Sequence, residues 1–285
     1  MTTPRAIAPI AALALAAMLS APAAAQGSSR TTDSGRDAPP IQDNSFLIEE
    51  AYNQERGVVQ HISTFDVGDR GQWQYAFTQE WPVRGQRHQF SFTIPVQHAE
   101  EGGVSGTGLG DVLINYRLQL ASGAASGVAF APRLSLLLPT GDEGRGRGMG
   151  AVGLQGNLPL SVELSRQFVM HFNAGATVVP SARSPLDATA TVYGFNVGQS
   201  TIWLVRRSFN VMLELAWTSE EGVVAEDAVE RESSFVIAPG LRGAIDFASG
   251  LQIVPGIAFP IEMQSGSDDV RVLLYLSLEH AFSRR

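Results

Sequence analysis

Five histidines, His61, His88, His98, His171 and His280, are the residues best suited to move a proton or bind a metal. Acyl transfer needs a nucleophile, a base beside it and a third group to orient the base. None of these histidines is spaced in sequence to make that set, so catalysis rests on His171 or His98 meeting a partner through the fold. His98 stands near Glu100 and Glu101, a weak metal-binding pattern. "TGDEGRGRGMG" (140–150) offers Asp142 and Glu143, two carboxylates where calcium takes six to eight oxygens. "GTGLGDV" (106–112) has the glycines of a phosphate loop but neither the Lys nor the Ser/Thr that follows them. There are no cysteines, which excludes thiolate nucleophiles and Cys zinc sites.

A larger set of charges is spread over the chain: Asp111, Arg117, Arg133, Glu163, Glu214, Arg242, Asp246, Glu262, Arg271 and Glu279, with His171 among them. All belong to one parity of an alternating pattern. In "GLGDVLINYRLQL" (108–120), Val112, Ile114, Tyr116, Leu118 and Leu120 fall on one side, Asp111, Asn115, Arg117 and Gln119 on the other. From Gly57 onward this period of two persists, with apolar sets such as Phe90, Phe92, Ile94 and Val96, then Phe209, Val211, Leu213, Leu215 and Trp217. The reverse parity supplies Gln89, Ser91 and Thr93, then Asn210 and Glu214. A strand with one apolar and one polar face fits either a soluble sandwich or a barrel in lipid.

Connections favour the barrel. Joints near 84–87, 121–126, 165–166, 206–208 and 248–250 are short, while those near 98–107, 140–151, 180–190, 219–232 and 263–268 are longer. Segments of about 11 to 14 residues exceed the ~5 to 6 of soluble strands and match the ~9 to 11 of a tilted span. Arg84, Arg87, Arg166, Arg206, Arg207, Arg284 and Arg285 fall on the side of the short joints, and Asp and Glu dominate the side of the long ones. The reading is an all-β chain: a closed antiparallel transmembrane β-barrel of about twelve strands, with ten or fourteen as alternatives. Short periplasmic turns and longer extracellular loops join its strands. Lipid meets the apolar parity, and the eleven ionisable residues line the lumen, either pairing to hold the wall or setting selectivity.

The ends fit this. "MTTPRAIAPIAALALAAMLSAPAAAQ" has an early Arg5, a short apolar core and Ala23, Ala24 and Ala25 before a cleavage point, as an export signal requires. Residues 26–43 are polar and rich in Gly, Ser and Pro, and 44–55 have helix formers enough for a short helix, at the barrel entrance or as a plug. The organisation is thus 1–25 signal, 26–56 periplasmic leader and 57–285 barrel, in a bacterial outer membrane. Net charge is −8 and all 20 basic residues are arginine; the acidic balance argues against nucleic acid as a partner. The partners expected are the lipid bilayer, the outer-membrane assembly machinery and a small-molecule solute, with no cofactor.

"GTGLGDVLINYRLQL" and "APRLSLLLPTGDEGRGRGMGAVGLQGNLPLS" resemble the outer-membrane barrel family labelled MetA-pathway of phenol degradation, whose members are transporter-like. The pattern pairs a Gly-rich GD strand start with a later strand ending in Pro-Thr-Gly, and the likeness spans most of 57–285. It implies passive passage of small, aromatic or hydrophobic molecules, and carries no catalytic residue with it. Phe282 is followed by Ser283, Arg284 and Arg285 and is not the final residue, a departure from the terminal aromatic of such barrels. Two other classes stay open: an outer-membrane hydrolase, and a structural or adhesive barrel with a sealed lumen.

Overall fold

The computed structural model describes residues 45–68, 71–101, 104–123, 126–264 and 267–282. The expected signal and leader through residue 44 lie outside them, as do Arg284 and Arg285. Twelve antiparallel strands follow in order: β1 (Val58–Val67), β2 (Trp73–Pro82), β3 (His88–Glu101), β4 (Val104–Leu109, Val112–Leu118 and Ala121–Ser122) and β5 (Val128–Phe130 and Arg133–Leu138). Next come β6 (Gly153–Asn157 and Leu160–Glu163), β7 (Phe168–Arg183), β8 (Thr189–Arg206) and β9 (Phe209–Ala225). The last are β10 (Ala228–Gly243 and Ile245–Asp246), β11 (Gln252–Ala258 and Ile261–Gln264) and β12 (Ser267–Val270 and Val272–Ala281).

Each strand pairs with its chain neighbours, and β1 closes on β12 in unbroken register from Val58↔Ala281 to Val67↔Val272. Closure leaves no sheet edge, the condition under which strands can sit in hydrocarbon. Among the described residues no helix is long and apolar enough to cross a membrane. The outer surface carries the expected parity: Leu134, Leu136, Leu154, Phe172, Val197 and Leu213 are all exposed. Aromatic pairs mark both ends of it, with Phe65 on Trp73 and Trp73 on His98 near one rim, and Phe168 on Trp203 near the other. Prolines explain the interruptions of β5, β6 and β11, at Pro132, Pro159 and Pro260, because Pro has no N–H to give the ladder. At Ala131–Pro132 and Phe259–Pro260 neighbouring amides bridge the break, Ala131 N–H donating to Pro159 O and Phe259 N–H to Pro239 O.

The two rims differ less in loop length than the sequence suggests. Most long joints are ladders carried past the barrel body: β9 and β10 stay paired out to Ala225↔Ala228, and β7 and β8 out to Arg183↔Thr189. Alternating polar residues sustain them, including Arg231 paired with Glu221 at 2.5 Å. Only residues 139–152, among the described ones, form a long connection, with a single 3-10 turn at Glu143–Arg145. We call this end the loop rim and the end bearing Gly57 and Phe282 the turn rim.

The inner face is also less uniformly polar than the parity implies. Leu113, Leu137, Val179 and Val192 point inward and pack with Met149 from the 139–152 loop. A second inward cluster joins Ile62, Ile202, Met212, Val254, Leu273 and Tyr275 around Phe46.

Candidate functional site

The inside of the barrel holds residues 45–55. They are irregular and extended, so the short helix expected there does not form. Nearly all of them are buried, Phe46, Asn53 and Gln54 completely. Their backbone runs across the strands, which the order of its partners shows. Gln54 N–H donates to Gln89 Oε1 on β3 at 2.7 Å, and Asn53 N–H to Gln119 Oε1 on β4 at 2.8 Å. Ala51 N–H donates to Ser161 Oγ on β6, and Glu49 N–H to Asn173 Oδ1 on β7, each at 2.8 Å. Phe46 and Leu47 N–H both donate to the Glu214 carboxylate on β9, at 2.9 and 2.7 Å.

This strap explains the polar parity. Wall backbone groups are committed to the ladders, so a chain crossing the lumen can only satisfy its own N–H groups with wall side chains. Each buried N–H left without an acceptor would cost about 1–3 kcal/mol. Gln, Ser, Asn and Glu at inward positions supply six acceptors, and the strap has no need of helical bonds. Helix propensity, worth at most ~1 kcal/mol per residue, loses to this arrangement.

Side chains fix the strap too. Arg117 donates to Asn53 Oδ1 at 2.8 Å, Tyr52 O at 2.6 Å and Glu50 O at 3.2 Å. Arg133 Nε donates to both Glu49 oxygens, at 2.8 and 3.0 Å, and Asn157 donates to Glu49 Oε1 at 2.8 Å. Glu50 lies 3.4 Å from His171 Nε2 and 3.7 Å from Arg242. Three wall glycines make room: a Cβ on Gly198 would overlap Ile48, and on Gly240 and Gly256 would come within 2.5 and 2.6 Å of the Phe46 ring.

The predicted lumen residues therefore fall into groups. Arg117, Arg133, His171, Glu214 and Arg242 hold the strap. Asp111 instead holds the 139–152 loop, accepting Gly141 N–H at 2.9 Å and Met149 N–H at 2.8 Å. In the same region Arg147 is buried against Gly106 and Gly108, where a Cβ on Gly108 would overlap its guanidinium. The Gly-rich run 106–110 is thus a seat for a folded-in loop rather than a phosphate cradle. Asp142 and Glu143, considered for calcium, face arginines: Arg147 at 3.0 Å and Arg183 at 3.8 Å respectively. Arg271 and Glu262 meet near the loop rim at 3.3 Å, and Arg271 also binds Asp66 at 2.6 and 3.0 Å.

Three predicted residues lie at the turn rim rather than along the bore. Glu163 and Asp246 are exposed there, Asp246 accepting from Gln252 at 2.8 Å, and half-buried Glu279 stands opposite Gln60 and Gln252. Inward parity continues past the point where the wall encloses anything, so alternation alone cannot mark the end of the lumen. Glu49, Glu50 and Asp66 were not among the expected site residues. The first two read as helix formers, and Asp66 follows the last residue of a segment whose alternation is weak.

One constellation has catalytic geometry on paper. Ser161 Oγ is 2.7 Å from His171 Nδ1, and Glu50 reaches the other ring nitrogen. Yet Ser161 already accepts the Ala51 N–H, and the Tyr52 ring stands edge-on to His171 at 6.3 Å. Both residues are fully buried under the strap, outside the open cavity described next. The trio ties strap to wall and presents no nucleophile to a substrate.

Above the strap opens a cavity of about 70 Å³. Leu47, Ile48 and Glu49 form its floor. Its walls mix Asn157, Asn173, Asn196, Thr218 and Ser234 with Val236 and Pro260, and Asp66, Glu262 and Arg271 stand at its outer part. The 139–152 loop and the Leu113 cluster fill another part of the lumen, against β4, β5 and β7–β9.

No sequence-family model matches the chain, and no curated protein sequence matches it. Solved structures do. The COG4313 outer membrane channel from Pseudomonas putida F1 superposes with a TM-score of 0.61 at 11% identity, over 81% of this chain and 98% of that one. The fold is that of an outer-membrane barrel. The NanC porin (TM-score 0.48, 6% identity, 79% of this chain and 100% of that one) and the KdgM porin (0.47, 7%, 79% and 99%) are looser likenesses.

Proposed function

We propose that the chain is a passive outer-membrane channel for small molecules, with its loop rim outward and the strap setting how much of the bore is free. The observation that carries this is an open cavity on one side of a closed barrel, floored by a segment held through side chains alone. Leu47, Ile48, Val236 and Pro260 give the cavity an apolar lining beside its amides and hydroxyls. That mixture suits small amphipathic solutes, aromatic ones included. The likeness in fold to a solved outer-membrane channel supports the reading. In it, residues 1–25 direct export and are removed, and the assembly machinery inserts the barrel.

The test is solute flux into vesicles reconstituted with the barrel, with and without residues 45–55. Flux that rises several-fold on deletion is expected. A second reading, a sealed structural barrel, draws on the strap and the folded-in loop filling most of the lumen. Flux at the level of empty vesicles for both proteins, with the barrels folded, would establish that reading and end the first.

A further inference from the structure

The outer surface near the turn rim carries a feature unrelated to the lumen. His61 on β1 and His280 on β12 lie on the same outward face across the seam where the first and last strands meet. Val59 stands directly opposite His280, one position of like parity from His61. Their rings stack at 5.3 Å with 24° between planes, and the two Nε2 atoms are 3.3 Å apart. His280 Nδ1 lies 3.1 Å from Ala281 O, and a carbonyl only accepts, so Nδ1 carries the proton. In the neutral pair His280 Nε2 therefore accepts from His61 Nε2–H, and His61 has only to move that proton to its own Nδ1 for both Nε2 lone pairs to face one ion, the state in which metal-bound histidines are held. The Phe77 ring stacks on His61 at 6.2 Å and 18°, holding its plane from the other side. A tetrahedral ion with two imidazole nitrogens at ~2.0–2.1 Å spans about 3.3–3.4 Å between them. The observed spacing already has that bite.

We infer that His61 and His280 form a two-histidine site for a borderline divalent first-row ion, Zn²⁺ being the probe, which clamps β1 to β12. Water fills the remaining positions, since both imidazoles are only partly covered. The strand register fixes the two Cα positions, so binding needs side-chain adjustment alone. An ion bound to the folded barrel and not to the open chain raises stability by mass action.

Tag-free barrel in detergent micelles is titrated with Zn²⁺ by calorimetry, and its unfolding midpoint is read with Zn²⁺ and with EDTA. One ion per barrel is expected, weakened at least ten-fold in His61→Gln and equally in His280→Gln, and unchanged in His88→Gln. The midpoint should rise with Zn²⁺ in the wild type and stay put in the two variants. Heat-modifiable migration on gels certifies that each variant is folded. No binding at millimolar Zn²⁺, or binding that survives either substitution, overturns the shared site. Binding without a rise in midpoint overturns the clamp.

Discussion

Phe46 should decide whether the strap stays down. Its ring is fully buried, seated over Gly240 and Gly256 and edge-on to Tyr275 at 5.8 Å and 82°. Phe→Ala in a closed core costs about 3–5 kcal/mol, of which part is the unfilled cavity. Here water can follow the vacated ring into the lumen, so the transfer part dominates and the low end, about 3 kcal/mol, applies. At ~1.4 kcal/mol per tenfold, Phe46→Ala shifts the docked-to-undocked ratio about a hundredfold toward undocked. Single-channel recording in planar bilayers should show that shift as longer and more frequent high-conductance intervals, with the barrel's own unfolding midpoint little changed. Gly256→Ala supplies a cycle. In the wild type its methyl meets the ring at 2.6 Å and releases the strap, whereas in the Phe46→Ala background its nearest neighbour is Tyr275 Cβ at 3.3 Å and it adds little. Open probability indistinguishable from wild type in Phe46→Ala, or additive effects in the double variant, would refute the seat.

The other consequences concern charge and the loop. Arg133→Ala strands the buried Glu49 carboxylate and should destabilise the docked strap by about 3–5 kcal/mol, while Glu49→Gln with Arg133→Gln recovers most of it; urea titrations of strap fluorescence or protease cleavage read both. Arg271→Gln removes the cation between Asp66 and Glu262. A unit charge ~8 Å from a passing ion through water contributes about 0.5 kcal/mol, of opposite sign for cation and anion, so the cation-to-anion permeability ratio should rise about five-fold, seen as a shift in reversal potential. Gly108→Val intrudes on Arg147 and should lift the 139–152 loop, making trypsin cut at Arg145 and Arg147 at least ten-fold faster while the barrel stays folded.

The barrel is legible in the sequence because lipid enforces a rule at every second residue. Leu134, Leu136 and Leu154 are apolar outside for one reason, repeated around the whole wall, so even a short stretch such as 108–120 carries the signal. The inward parity has no such single cause. Gln89, Gln119, Ser161 and Asn173 are polar because particular N–H groups of the strap end there. Gly198, Gly240 and Gly256 are bare because Ile48 and Phe46 rest on them. Leu113 and Leu137 are apolar because a loop folds back onto them. These are pairwise agreements between positions far apart in sequence, 35 residues for Gln54 with Gln89 and 168 for Phe46 with Glu214, and a single chain read by periodicity shows only one side of each. The same point separates two meanings of a charged lumen. If inward charges existed to greet solute, they would face open space; Arg117, Arg133 and Glu214 instead have their bonding capacity spent on the strap. In the proposed channel a solute would meet a smaller set, Asp66, Glu262 and Arg271 with the exposed edge of Arg133, together with the amides above Glu49. On that proposal selectivity belongs to the part of the bore where Asp66, Glu262 and Arg271 stand, while the charges that hold the strap govern how wide the bore is.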